Sequence, residues 1–88
     1  MNEFDIMYDE LEDTHTRFVG FVGQRSRFDL AITETNHFYG KKLVYCLQSG
    51  RSAILTVEEV DDFQYVATAF QVSEEEAQEL ADFLASNL

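Results

Sequence analysis

Between positions 16 and 57 lie four short runs rich in β-branched and aromatic residues: 16–22 (TRFVGFV), 27–33 (RFDLAIT), 42–48 (KLVYCLQ) and 52–57 (SAILTV). Runs of this composition read as strands. The residues between them are turn formers, Gly23 with Ser26, then Asn36 with Gly40, then Ser49 with Gly50. Separators of three to eight residues suit hairpins, so an antiparallel meander follows.

The second run alternates cleanly. Phe28, Leu30 and Ile32 share one face, and Arg27, Asp29, Ala31 and Thr33 share the other, so one side of the sheet should be core and the other wetter. The first and third runs put apolar side chains on both sides: Phe18 and Val22 against Val19 and Phe21, then Leu43, Tyr45 and Leu47 against Val44 and Cys46. Both faces are therefore expected to be covered there. Gly20, in the middle of the first strand, marks a bulge or the close approach of a neighbouring side chain.

At the C-terminal end Ser73 is an N-cap with Glu76 three residues on, the pattern of a capping box, and Glu74, Glu75 and Glu76 favour the positive end of a helix dipole. Val72 precedes the cap as a staple for Ala77. Ala77, Leu80, Ala81, Leu84 and Leu88, with Phe83 at the edge, then form an apolar stripe. Residues 58–71 fit a helical stripe through Val60, Phe63, Ala67 and Phe70, opened by Thr56 with Glu59; they also fit an edge strand through Phe63, Tyr65, Ala67 and Ala69. The helix is the preferred reading. The N-terminal stretch offers Phe4, Ile6, Tyr8 and Leu11 as anchors without a period that names a state.

The fold class that follows is α+β: a four-stranded, mainly antiparallel β-meander followed by a helical C-terminal portion packed on one sheet face. It is read as a single domain, with an acidic N-terminal segment at 1–13, the meander at 14–57 and the helical portion at 58–88. A helix of about 15 residues is about 22 Å long and covers one face of a small sheet but not both. The other face calls for a second helix from Glu58 onward or for a partner, and a symmetric homodimer is the simplest partner.

Eighty-eight residues exclude a two-domain enzyme with an interdomain cleft. A hydrophobic content of 45% offsets chain entropy despite a net charge of −11. A chain this small buries only about 60–65% of its unfolded surface, so oligomerisation is an available source of stability. Charge is segregated: 1–13 holds six acids and no base, 14–57 holds all six bases against Asp29 and Glu34, and 58–88 holds nine acids and no base. The plainer explanation is a basic middle set against acidic ends within one fold. The functional one is a basic rim for an anionic ligand or an acidic partner.

The start MNEFDIMYDELED has neither the basic nor the apolar region of a signal peptide, and no apolar run is long enough to span a bilayer. With Cys46 as the one cysteine, a cytoplasmic location is expected. The acidic balance argues against nucleic acid and against anionic membranes as partners. His15, His37, Cys46, Asp9 and Asp13 lack the spacing of a zinc or calcium site, so no metal and no cofactor are expected. No catalytic residue is expected either: Cys46 lies among apolar strand residues, there is no G-x-S-x-G elbow, and the four glycines form no phosphate loop. RFVGFV at 17–22 has the look of an RNA-stacking motif, but only 16 residues precede it and Phe18 and Phe21 fall on opposite faces.

The loop TNHFYGKK at 35–42 groups His37, Phe38 and Tyr39 beside Lys41 and Lys42. Its plainer reading is a hairpin turn with one aromatic tucked onto the core; its functional reading is a recognition loop. Candidate binding residues are Arg25, Arg27, His37, Tyr39, Lys41 and Arg51. The order DTHTRFVGF, RFDLAITETNHFYGKKLV, LQSGRSAI and a closing acidic helix resembles a small, uncharacterised family of one-domain proteins of Gram-positive bacteria, a domain of unknown function. The resemblance implies a cytoplasmic bacterial setting and carries over no activity or site residue. The function expected is a protein–protein interaction module, a homodimer or a partner of another protein. The alternative is a small-ligand or anion-binding domain using the basic residues of the sheet and its loops.

Overall fold

Hairpin-length connections dictate the sheet. The computed structural model describes residues 3–88 and holds β1 (His15–Val22), β2 (Arg27–Glu34), β3 (Lys42–Cys46) and β4 (Arg51–Leu55), paired antiparallel in the order β1-β2-β3-β4. Connections this short cannot carry the crossover that parallel strands need. Gly40 and Gly50, in the second and third turns, both take φ +71°, a conformation that side chains disfavour.

Register fixes which side chains share a face. Phe28, Leu30 and Ile32 of β2 meet Phe21, Val19 and Arg17 of β1; Leu30 and Ile32 also meet Cys46 and Val44 of β3, and Ala53 and Leu55 of β4 follow on the same side. This is the core face. The ladder between β1 and β2 is unbroken at Gly20, so there is no bulge. Gly20 is a close approach instead: a Cβ there would stand 2.7 Å from Asp29 Oδ1.

After β4, Thr56 and Glu59 bond reciprocally, backbone to side chain, and open a 3-10 turn at Glu59–Asp61. The helix proper restarts one residue later. Asp62 accepts from the backbone N–H of Gln64 and Tyr65 and caps α1 (Phe63–Phe70), which ends at Gln71 in the left-handed region. Residues 58–71 are thus helical. The Ser73–Glu76 capping box is present and starts α2 (Glu74–Ala85), 12 residues long.

Val60, Val66, Phe70, Ala77, Leu80, Ala81 and Leu84 join the sheet residues in one buried cluster. α1 packs on β4 and on α2. α2 runs back over β1 and the first turn, where Phe83 stacks on Phe21 at 4.1 Å, Glu76 accepts from the Ser26 hydroxyl at 2.5 Å, and Asn87 accepts from Arg17. The expectation that both faces of β1 and β3 are covered is corrected here. A second helix exists, but its apolar stripe joins the same core as the first, so both helices lie on one face and the other stays open. Residues 3–14 form no helix or strand. The molecule measures 52 × 24 × 21 Å with a radius of gyration of 14.9 Å, against about 12 Å for a compact chain of this length.

Candidate functional site

Turns of a meander alternate between the two ends of the sheet, and this separates the candidate binding residues. Arg25 in the first turn, Arg27 at the start of β2 and Arg51 at the start of β4 lie at one end; His37, Tyr39 and Lys41 lie in the loop at the other. The ends are about 25 Å apart, the span of an eight-residue strand at about 3.3 Å per residue. The six residues therefore make two groups, and most of their charges are matched locally. Arg25 pairs with Glu75 at 2.8 Å, Arg27 with Asp29 at 3.1 Å, and Lys41 with Glu59 at 3.8 Å. Arg51 is exposed with no acidic partner among the described residues, and Tyr39 is 99% exposed. Phe38 is the half-buried aromatic of the loop.

The acidic segment holds the far loop. Glu12 Oε2 accepts from the Thr35 hydroxyl and the Asn36 backbone N–H, both at 2.8 Å, and Glu12 Oε1 lies 2.5 Å from His37 Nδ1. Glu10 Oε2 is 3.2 Å from His37 Nε2, so both ring nitrogens face carboxylates. The Asn36 N–H first, then the Thr35 hydroxyl and His37, hold the Glu12 carboxyl below its ordinary value. Beside this clamp is an open groove of about 490 Å³ whose lining mixes Glu12, Asp13 and Glu34 with His15, Lys41 and Lys42. Its charges are mixed in sign, so it is no dedicated anion pocket.

At the first turn, Glu79 of α2 accepts from the backbone N–H of Gln24 and Arg25. This brace and the Glu12 clamp were invisible in sequence, because each joins segments that only the fold brings together. Cys46 is fully buried on the core face, with Gln48 Oε1 within 3.8 Å of its sulfur. Among the described residues no cluster of His, Cys, Asp and Glu could hold a metal ion, and no helix is long and apolar enough to cross a membrane.

Exposed apolar side chains occur in the N-terminal segment, at Phe4, Ile6, Met7, Tyr8 and Leu11, and on the open face of the sheet. On the open face, Thr16, Thr33, Leu43 and Ile54 form one row, and Phe18, Ala31, Tyr45 and Ser52 form the next. Leu47, whose N–H donates to the Asp29 carbonyl, and Val22 extend this surface. Phe18 and Val22 are 78% and 80% exposed, and Tyr45 and Leu47 are exposed too. The charges on these strand positions are Arg27 and Asp29, which pair with each other. The face is apolar and locally neutral in a chain of net charge −11. At its edge β1 has a strand neighbour on one side only.

Fold and surface together define a class: an α+β protein in which two helices back one face of an antiparallel meander and leave the other face and one edge bare. The chain belongs to the SAV0927-like family, whose sequence model matches residues 7–86, nearly its whole length. That match bears out the resemblance to a small uncharacterised family. No curated protein matches the chain.

Proposed function

We propose that this protein is a protein–protein interaction module that acts as a homodimer in the cytoplasm of a Gram-positive bacterium, with the sheet as its contact surface. The observation that carries the reading is the placement of both helices on one face, which leaves Phe18, Val22, Tyr45 and Leu47 uncovered. An apolar sheet surface of this kind in a small domain marks an association site. The charge layout supports it: the acids are concentrated in the N-terminal segment and the helical layer, away from the strands, so contact through the sheet does not force like charges together. The anion-binding alternative needs converging cations, and Arg25, Arg27, Lys41 and Arg51 do not converge.

Light scattering on a sizing column, at about 0.15 M salt to screen weak charge pairing, tests the reading. A particle of twice the 10.2 kDa chain mass is expected. A single-chain mass persisting at about 0.1 mM, where even a complex with a Kd of about 10 μM would be mostly formed, overturns it.

A further inference from the structure

We propose that two copies join along the free edges of β1, running antiparallel with Val19 opposite Val19 of the second copy. This rests on the homodimer reading and places its seam at the β1 edge, through Phe18 and Val22, leaving Tyr45 and Leu47 of the open face outside it.

The hydrogen-bond pattern shows which groups the edge offers. The Gly23 N–H donates to the Ser26 carbonyl and closes the first hairpin. Counting back from that pair through the β1–β2 register, Phe21, Val19, Arg17 and His15 direct their backbone groups to β2, whereas Val22, Gly20, Phe18 and Thr16 direct theirs away from the sheet. Proteins blunt such edges with lysine, proline, bulges or a short strand. β1 has none of these: it is eight residues long, its ladder is continuous, and its sequence HTRFVGFV contains neither lysine nor proline. The opposite edge, β4, has five residues and lies against α1.

A two-fold seam must pair outward-facing residues with each other. Centred on Val19, it sets Thr16 opposite Val22 and Phe18 opposite Gly20, so every outward-facing residue of both strands is used. Slipping the centre to Phe18 leaves Val22 unpaired, and slipping it to Gly20 leaves Thr16 unpaired. In the Val19 register Phe18 comes opposite Gly20 of the second copy on the open face, beside the Asp29 carboxylate that lies over that glycine and excludes a side chain there. β1 contains no acid, and Arg17 comes opposite Phe21, so no like charges meet within the seam.

A two-fold axis through Val19, normal to the sheet, makes the seam antiparallel and keeps the helices of both copies on the same side of the joined sheet. Arg25 and Arg27, at the exit of β1, are already paired within each copy with Glu75 and Asp29, so the seam is held by backbone hydrogen bonds and by Phe18 and Val22 rather than by charge.

Val19→Cys tests the seam, because directly opposed residues of a non-hydrogen-bonded pair sit about 4.5 Å apart between Cα atoms, within disulfide reach. Under mild oxidation Val19→Cys should migrate as a covalent dimer on a non-reducing gel, and Tyr45→Cys, in the middle of the open face, should not; Cys46 is buried in both. Phe18→Pro removes an outward-facing donor and no β1–β2 bond, and Phe18→Lys places a gatekeeper on the edge. Each should halve the mass of the particle while the chain still melts cooperatively. If wild type weighs two chains and Val19→Cys stays unlinked, or if folded Phe18→Lys remains a dimer, the seam is overturned and the homodimer stands. If wild type weighs one chain, both fall.

Discussion

Gln71 closes α1 at φ 54° and ψ 53°, a left-handed conformation that is ordinarily glycine's. An L side chain there costs about 1–2 kcal/mol, part of which returns to the unfolded chain when glycine replaces it. Gln71→Gly should therefore stabilise the protein by about 0.5–1 kcal/mol, raising the melting temperature by several degrees in differential scanning calorimetry. Gly20→Ala should act the other way. Its methyl would press on Asp29, whose carboxylate is held by Gln48 Nε2 at 2.7 Å and by Arg27, so the neighbour cannot swing aside freely. A loss of about 1–2 kcal/mol in urea denaturation is expected, as for overpacking elsewhere. Sequence pointed to Gly20 as either a bulge or a close approach; only the cross-strand position of Asp29 chose between them.

Among the elements, α2 was the most legible, because its start signals are local. The Ser73 hydroxyl accepts from the Glu76 N–H, and the Glu76 carboxylate accepts from the Ser73 N–H. Ser73→Ala should cost about 1 kcal/mol, read by thermal melting. Glu76 also accepts from the Ser26 hydroxyl, across from the first turn. That bond first, then the Ser73 backbone and hydroxyl, hold its carboxyl below the ordinary 4.5. A carboxyl depressed in the folded state contributes stability above its unfolded value and loses it as pH falls through the folded one. The stability gap between wild type and Glu76→Gln should be full at neutral pH and close progressively below about pH 4.5 in urea titrations. α1 was less legible. Thr56 and Glu59 do make their reciprocal contact, but they open a 3-10 turn, and the helix takes its own cap from Asp62.

At the scale of the whole molecule, the sheet has a protected interior and an exposed margin. β2 and β3 have bonded neighbours on both sides and carry fully buried side chains, so their amides should exchange most slowly with solvent. The amides of Thr16, Phe18, Gly20 and Val22 face outward in a single chain and should exchange fast when dilute. Under the β1 seam their exchange should slow as protein concentration rises, at the same concentrations that raise the mass. Unchanged exchange at those four positions would place the contact elsewhere. The acids are concentrated in the N-terminal segment and the helical layer, and on the open face of the sheet Arg27 and Asp29 pair with each other, so that face is locally neutral in a chain of net charge −11.

By itself the sequence determined the strands, the meander, the core side of β2 and the capped final helix. Each rests on period, turn chemistry or a cap, all properties of residues within a few positions of one another. Which residues share a face in β1 and β3 was also legible, since that is parity alone. Tertiary structure decided whether those faces are covered. Both helices have apolar stripes that any large enough surface would accept, and the placement of both on one side depends on contacts such as Phe21 with Phe83 and Ser26 with Glu76, more than 45 residues apart. The same holds for the candidate binding residues. Composition marked Arg25, Arg27, Arg51, His37, Tyr39 and Lys41, but the alternation of hairpin turns sent them to opposite ends of the sheet, a consequence of topology that proximity in the chain does not encode.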